Sequence, residues 1–288
     1  MARERQLALL FPGQGSQTAD MRETVERRRP DLLELAFEEV GSDLFERAAD
    51  GTRWAQPAIY CAALAGAEEL CAGEGERGQV EPDVMAGHSL GEITALVAAG
   101  AVGADDGLRL VAARGRLMQE AAEETGDGSM TAVRAREGNR ETIAEVAAAN
   151  DVAIANDNAP DQLVLSGALD ALDRAEAELK ERGVRSKRLP VAGAFHSPLM
   201  EPAVEPFRAV AAGIDFAEPS VPVMSCVTAR PFEDPPSELV RALTEPVRWL
   251  DVVRALDARG VTEFVETGPG TVLTNLVRKS LQLEAAGA

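Results

Sequence analysis

Residues 84–92 read Val-Met-Ala-Gly-His-Ser-Leu-Gly-Glu, and this stretch decides the fold. The pattern Gly-x-Ser-x-Gly is typical of a nucleophile elbow, a sharp turn that lifts a serine hydroxyl clear of a strand and a helix. Glycines flank the serine because a side chain there would collide with the neighbouring turn. The apolar residues before Gly87 predict a buried strand, and Ile93–Ala99 predicts a helix. Ser89 is therefore a candidate nucleophile, although the same letters also suit a structural turn.

A second glycine-rich turn follows the apolar run Leu7–Phe11 and reads Pro-Gly-Gln-Gly-Ser-Gln over residues 12–17. It contains neither of the glycine patterns of nucleotide-binding loops. Its backbone N–H groups and Gln14 instead suit stabilisation of an oxyanion during acyl transfer. The elbow offers one N–H donor, that of Leu90, and a turn after another strand commonly supplies the second.

Histidine is scarce, since the chain contains only His88 and His196. Alternation along the elbow aims the His88 side chain away from the serine hydroxyl. If a histidine activates Ser89, the remaining candidate is His196. Taken without the elbow, a histidine near a proline is more often structural.

These motifs resemble those of the malonyl-CoA:acyl-carrier-protein transacylases, a family that also includes the acyltransferases of polyketide synthases. The resemblance runs from about Leu7 to Leu281 and covers six segments in the family's order. They are Phe11–Gln17, Gly87–Glu92, Ala113–Gln119, Ala155–Gly167, Ala194–Ser197 and Glu266–Gly270.

The resemblance implies a role for each matching residue. Ser89 would carry the acyl group, and His196 would act as general base and then as general acid. A backbone carbonyl near Val247–Trp249 would orient the histidine in place of an acidic side chain. The backbone N–H groups of Gln14 and Leu90 would form the oxyanion hole.

Substrate selection is expected to depend on Arg114, which matches the family's carboxylate-binding position. Malonyl differs from acetyl by one carboxylate, and a guanidinium binds a carboxylate through two parallel hydrogen bonds. Phe195 resembles the residue that accompanies malonyl selection, because its ring fills the space a methyl branch needs. Met118, Asn156 and Asn158 are expected to line the substrate cleft, although the asparagines also suit a turn.

The net charge of −19 makes nucleic acid an improbable partner. The expected partners are malonyl-CoA and an acyl carrier protein, which is itself acidic. One basic segment, residues 180–188, could dock such a carrier through Arg185, Lys187 and Arg188. The alternative is a solvated helix end.

Three cysteines without Cys-x-x-Cys spacing, together with two histidines, predict neither a zinc site nor any other metal site. No cofactor is expected beyond the CoA donor. No apolar stretch is long enough to span a membrane, and the first residues lack a secretory pattern. The expected location is cytoplasmic.

Local patterns predict individual elements. A helix should open at Gln56-Pro57-Ala58, a second helix should span Arg140–Ala149, and a strand should span Ser186–Val191.

The order of predicted elements indicates an α/β fold of two parts. Residues 1–127 and 196–288 form an α/β-hydrolase-like large subdomain. Residues 128–195 read β-α-β-β-α-β, a ferredoxin-like small subdomain inserted between Ser89 and His196. The site should therefore lie in the cleft between the two parts.

The predicted function is malonyl transfer from CoA to a carrier protein through a Ser89 acyl-enzyme, with ping-pong kinetics. One alternative is a hydrolase that edits acyl groups from carrier proteins with the same residues. The other is a non-catalytic docking module of a synthase. Fatty-acid and polyketide pathways stay equally open.

Overall fold

The computed structural model describes residues 6–74, 78–136, 138–191 and 193–281. The strands, in chain order, are β1 (Leu7–Phe11), β2 (Val84–Gly87), β3 (Gly128–Arg134), β4 (Ala153–Ala159), β5 (Gln162–Ala168), β6 (Ser186–Arg188), β7 (Val223–Met224) and β8 (Glu263–Glu266). The helices are α1 (Met21–Arg28), α2 (Pro30–Val40), α3 (Leu44–Arg47), α4 (Thr52–Ala72), α5 (Gly91–Ala98), α6 (Ala104–Thr125), α7 (Arg140–Ala149), α8 (Leu169–Glu181), α9 (Glu201–Ala211), α10 (Pro235–Arg241), α11 (Trp249–Ala258) and α12 (Val272–Ser280).

The larger part is built on a parallel sheet with the strand order β7-β2-β1-β8. Strand β1 is buried on both faces, as strands of parallel sheets usually are. Leu9 and Phe11 face a core that includes residues of α4, α5 and α6, whereas Ala8 and Leu10 face a second core with α11 and α12. Helices therefore cover both faces of this sheet, as the predicted α/β class requires.

The inserted part is an antiparallel sheet with the order β4-β5-β3-β6. Helices α7 and α8 pack on one face of it, where Ile143 and Leu172 meet Val133 and Leu165. This order and these connections are those of the ferredoxin-like arrangement. The predicted fold class is confirmed.

Strand β4, at the edge of the small sheet, is hydrogen-bonded to the large part. The backbone N–H of Val247 donates to the carbonyl of Ala155, and the N–H of Asp157 donates to the carbonyl of Val247, each at 2.9 Å. An ion pair between Lys279 and Asp161 adds a second link. The two parts thus meet along β4 rather than only at their covalent connections.

Several predicted elements differ from the structure in their bounds. The helix expected from Gln56 begins four residues earlier, at Thr52, because Pro57 lies inside it and does not start it. Strand β4 continues to Ala159, so Asn156 and Asn158 lie in a bulged strand and the alternative of turn asparagines is wrong.

Strand β6 ends at Arg188, although the sequence predicted that it would reach residue 191. The division of the chain at residues 128 and 196 stays a prediction. The two ends of the predicted large subdomain, residues 1–5 and 282–288, lie outside the described residues.

Candidate active site

The elbow has the geometry that its glycines demand. Strand β2 ends at Gly87, helix α5 begins at Gly91, and Ser89 between them has a positive φ of 54°. A Cβ on Gly87 would lie 1.9 Å from the carbonyl carbon of Gly91. A Cβ on Gly91 would lie 2.1 Å from the carbonyl oxygen of Phe11. Both glycines are therefore required by close backbone approach.

Ser89 and His196 are in hydrogen-bond contact, although 107 positions separate them. The serine Oγ lies 2.8 Å from the histidine Nε2. Nδ1 of His196 lies 2.8 Å from the carbonyl oxygen of Ala242, which can only accept a hydrogen bond. Nδ1 therefore carries the proton, and the Nε2 lone pair of the neutral ring faces the serine hydroxyl.

The carbonyl that orients the histidine corrects one expectation. The resemblance placed it near Val247–Trp249, whereas the structure places it at Ala242, just after α10. The segment at Val247 instead pairs with β4. The backbone N–H and carbonyl of Val247 are occupied by β4 and do not serve the histidine.

His196 is held in its neutral form. Burial lowers the pKa of the imidazole from 6.5 to about 3, and the charge of Arg114 acts in the same direction. Its hydrogen bond to Ala242 acts in the opposite direction but is the weaker effect. The ring can therefore accept the serine proton at neutral pH.

Arg114 projects from α6 to the serine. Its Nη2 donates to Ser89 Oγ at 3.1 Å, and its Nη1 donates to Gln56 Oε1 at 2.9 Å. The residue is 2% exposed, and burial lowers its pKa from 12.5 to about 10, so it stays charged at neutral pH. Within the described part of the chain, Arg114 forms no ion pair with a carboxylate.

The two predicted oxyanion donors lie on adjoining turns. Strands β1 and β2 pair in parallel with Phe11 opposite Gly87, so the turns that follow them share one edge of the sheet. A Cβ on Gly13 would lie 2.5 Å from the carbonyl oxygen of His88, which shows how closely the turns approach. The Gln14 side chain donates to Thr52 Oγ1 at 3.3 Å. Neither the Gln14 nor the Leu90 backbone N–H has a hydrogen-bond partner among the described residues.

The predicted cleft residues surround this centre. Asn158 Oδ1 accepts from His88 Nε2 at 2.8 Å, which links the small sheet to the elbow. Asn156 is buried where β4 meets Val247. Phe195 and Met118 are both buried in the core cluster on the α6 side of the sheet.

The predicted docking residues separate into two groups. Arg185 and Lys187 are exposed. Arg188 is paired with Glu176 and Asp173 on α8, and its Nε also donates to Thr131. Two of the three cations are therefore free to meet a partner, and the third stabilises the small subdomain.

Sequence reasoning missed two buried polar residues of the site. Gln56 was read only as a helix start, and its contact with Arg114 depends on the packing of α4 against α6. Glu92 was quoted only as the end of a motif. It is 1% exposed and accepts from the Cys226 N–H at 2.6 Å, and burial raises its pKa from 4.5 to about 8.

The described residues contain neither a metal-binding cluster nor a membrane-spanning helix. No cluster of histidine, cysteine and acidic side chains there is arranged to hold a metal ion. No helix in the described ranges has the length and apolar character needed to cross a membrane.

The parallel sheet, the elbow and the inserted antiparallel sheet define an acyltransferase architecture. The profile of the acyl transferase domain matches residues 8–287, and the chain belongs to this family.

Known relatives agree with this assignment. The chain is 41% identical to the polyketide biosynthesis protein ThaF of Burkholderia thailandensis over 98% of its own length, but it spans only 25% of that protein. It is 37% identical to the malonyl CoA-acyl carrier protein transacylase of Bacillus subtilis, over 95% of this chain and 90% of that one. The solved transacylase of Coxiella burnetii superimposes with a TM-score of 0.88 at 32% identity, covering 97% of this chain and 92% of that one.

Proposed function

We propose that this protein moves a malonyl group from malonyl-CoA to the phosphopantetheine thiol of an acyl carrier protein. The observation that carries the proposal is the buried guanidinium of Arg114, 3.1 Å from Ser89 Oγ and without an ion-pair partner among the described residues. Such a charge suits an acyl group that brings its own carboxylate. The name of the Bacillus subtilis relative supports both substrates.

The first half-reaction acylates Ser89. The hydroxyl proton passes to His196 Nε2 as Oγ attacks the thioester carbonyl, and the N–H groups of Gln14 and Leu90 stabilise the oxyanion. When the tetrahedral intermediate collapses, the C–S bond breaks and the histidine returns the proton to the departing CoA thiolate. In the second half-reaction the carrier thiol gives its proton to His196 and attacks the Ser89 ester. The serine then leaves with that proton, and no cofactor is needed.

Phe195 would favour malonyl over branched malonyl groups. It is 6% exposed and directly precedes His196, so an added methyl has to compete with its ring for space. Selection against one methyl group is worth about 1–3 kcal/mol, which gives a preference rather than an absolute barrier. Met118, Asn156 and Asn158 would complete the walls of the acyl cleft.

Carrier docking is supported by the register of the small sheet. Lys187 pairs with Ala132, Ala132 with Val164, and Val164 with Asn156, so all four side chains share one face. Arg185 lies one residue before β6, and continued alternation from Lys187 would place it on the same face. Arg188 points to the opposite face, towards Glu176. Three strand spacings, about 14 Å, separate Lys187 from Asn156. On this proposal the two exposed cations lie beside the cleft, where they would meet an acidic carrier.

The docking proposal is tested by reversing charge. The double variant Arg185→Glu and Lys187→Glu should raise KM for the carrier and leave KM for malonyl-CoA unchanged. Arg174→Glu, an exposed change on α8, is the matched control. An unaltered KM for the carrier in the double variant would refute docking on this face.

The function is tested by intact mass measurement after incubation with malonyl-CoA and acetyl-CoA together. We expect a malonyl adduct on the wild-type protein and none on Ser89→Ala. Added carrier protein should then take up the malonyl group. Release of free malonate instead would favour the editing hydrolase, and absence of any adduct would favour a docking module.

We place the reaction in the cytoplasm. Support comes from Cys61, Cys71 and Cys226, which are all unpaired thiols. Free thiols of this kind are usual in a reducing compartment.

A further inference from the structure

Gln56 is a buried amide with both ends of its side chain engaged. It is 1% exposed. Its Oε1 accepts from Arg114 Nη1 at 2.9 Å, and its Nε2 donates to the sulfur of Met118 at 3.4 Å. The thioether is a weak acceptor with no donor, so it suits only the NH₂ end of the amide. This orientation directs the carbonyl oxygen, and not the NH₂ group, at the guanidinium.

The position of Gln56 is fixed by close packing between α4 and α6. A Cβ on Gly115 would lie 2.9 Å from the carbonyl oxygen of Thr52 and 3.4 Å from the Cβ of Gln56. Thr52 lies one helical turn before Gln56 and accepts from the Gln14 side chain. The first turns of α4 therefore contact both the oxyanion turn and the guanidinium, the two elements that act on the acyl group.

The neutrality of Gln56 distinguishes it from the acids that hold most other arginines. Many arginines of this chain are paired with carboxylates, as Arg29 is with Asp31 and Glu68. A carboxylate at position 56 would hold Arg114 equally well, but it would also cancel the charge on which an incoming carboxylate depends. An amide restrains one nitrogen of the guanidinium and leaves the charge available to substrate.

We propose that Gln56 is a positioning residue that sets the preference for acyl groups bearing a free carboxylate, by holding Arg114 with a neutral amide. This inference rests on the proposed malonyl transfer. Selectivity then depends on two residues, Gln56 on α4 and Arg114 on α6, and not on the guanidinium alone.

The test compares Gln56→Glu with the wild-type protein by kcat/KM for acylation of Ser89, using malonyl-CoA and acetyl-CoA. The introduced carboxylate occupies Arg114, so the malonyl-to-acetyl ratio should fall about 10- to 150-fold, the range expected for loss of one charge-assisted hydrogen bond. The ratio should recover as the pH is lowered and the new carboxyl group takes up a proton. Gln79→Glu, which adds the same charge at an exposed site, should keep the wild-type ratio.

A second variant keeps the proposal open to refutation if Gln56→Glu does not fold. Gln56→Ala releases Nη1 of Arg114, so kcat/KM for acylation should fall much further with malonyl-CoA than with acetyl-CoA. A purely structural residue would lower both activities together. An unchanged malonyl-to-acetyl ratio in the folded variants overturns the inference, whereas failure of the wild-type protein to take malonyl at all overturns the proposed function instead.

Discussion

Replacement of Glu92 by glutamine should remove a loss of stability that the wild-type protein shows as the pH rises. Burial raises the pKa of this carboxyl group from 4.5 to about 8 in the folded protein, while the unfolded chain keeps the ordinary value. Between these values the folded state holds a proton that the unfolded state has released. The protonated Glu92 carboxyl group therefore makes its full contribution to the free energy of unfolding below pH 4.5. This contribution is lost as the pH rises through about 8.

The size of the effect follows from the shift. One proton changes the free energy of unfolding by about 1.4 kcal/mol per pH unit, which amounts to about 4 kcal/mol between about pH 5 and about pH 8. That is a large share of the 5–15 kcal/mol, roughly, by which proteins of this size are stable. Glutamine retains an oxygen that can accept from the Cys226 N–H, so the variant keeps this hydrogen bond without an ionisable group.

The assay is urea denaturation of the wild-type protein and of Glu92→Gln at about pH 5 and about pH 8. The wild-type protein should lose stability relative to Glu92→Gln at the higher pH. Glu218→Gln, which removes an exposed carboxylate, should follow the wild-type curve. If the free energy of unfolding changed with pH equally in the wild type and in Glu92→Gln, to within about 1 kcal/mol, the buried carboxyl would not be protonated in the folded state.

Three further outcomes are expected. Arg114→Ala should lower kcat/KM for malonyl-CoA by about 10- to 150-fold and spare acetyl-CoA; equal losses for both donors would contradict carboxylate recognition. Ser89→Ala should show no malonyl adduct by mass measurement, and an adduct at another residue would require a different nucleophile. Because the pKa of His196 is lowered to about 3, the rate of acylation should not fall as the pH drops through 6.5, the ordinary value for histidine. A rate that titrates near 6.5 and is lost in step with protonation of His196 would contradict the burial argument.

The elbow and the class of fold could be predicted from local sequence. At the elbow, Gly87 and Gly91 are dictated by backbone contacts within a few residues and with the adjoining strand, so the pattern itself carries the geometry. The β-α-β-β-α-β order of the insertion is likewise visible in periodicity and turn residues. Helix α7 was predicted with the bounds that it has in the structure, Arg140–Ala149.

The rest of the site depends on contacts between distant segments. Gln56 meets Arg114 across 58 positions, and no local pattern marks a glutamine that will face a guanidinium. Its neighbour Pro57 favoured a helix start, because proline is common in the first helical turn. The structure instead continues the helix through that proline. Likewise, the cationic segment gave no sign that Arg188 would pair with acids of α8 while Lys187 stays exposed.

The carbonyl of Ala242 has a consequence for how this site can vary and be studied. Because the imidazole takes its direction from the main chain, exchanging the side chain at this position leaves the acceptor in place. Ala242 is buried, so a scan that replaces residues one at a time would report the packing of this side chain and would miss the acceptor. Only a change to the peptide bond itself, such as an ester in place of the amide, would alter the acceptor and expose its contribution.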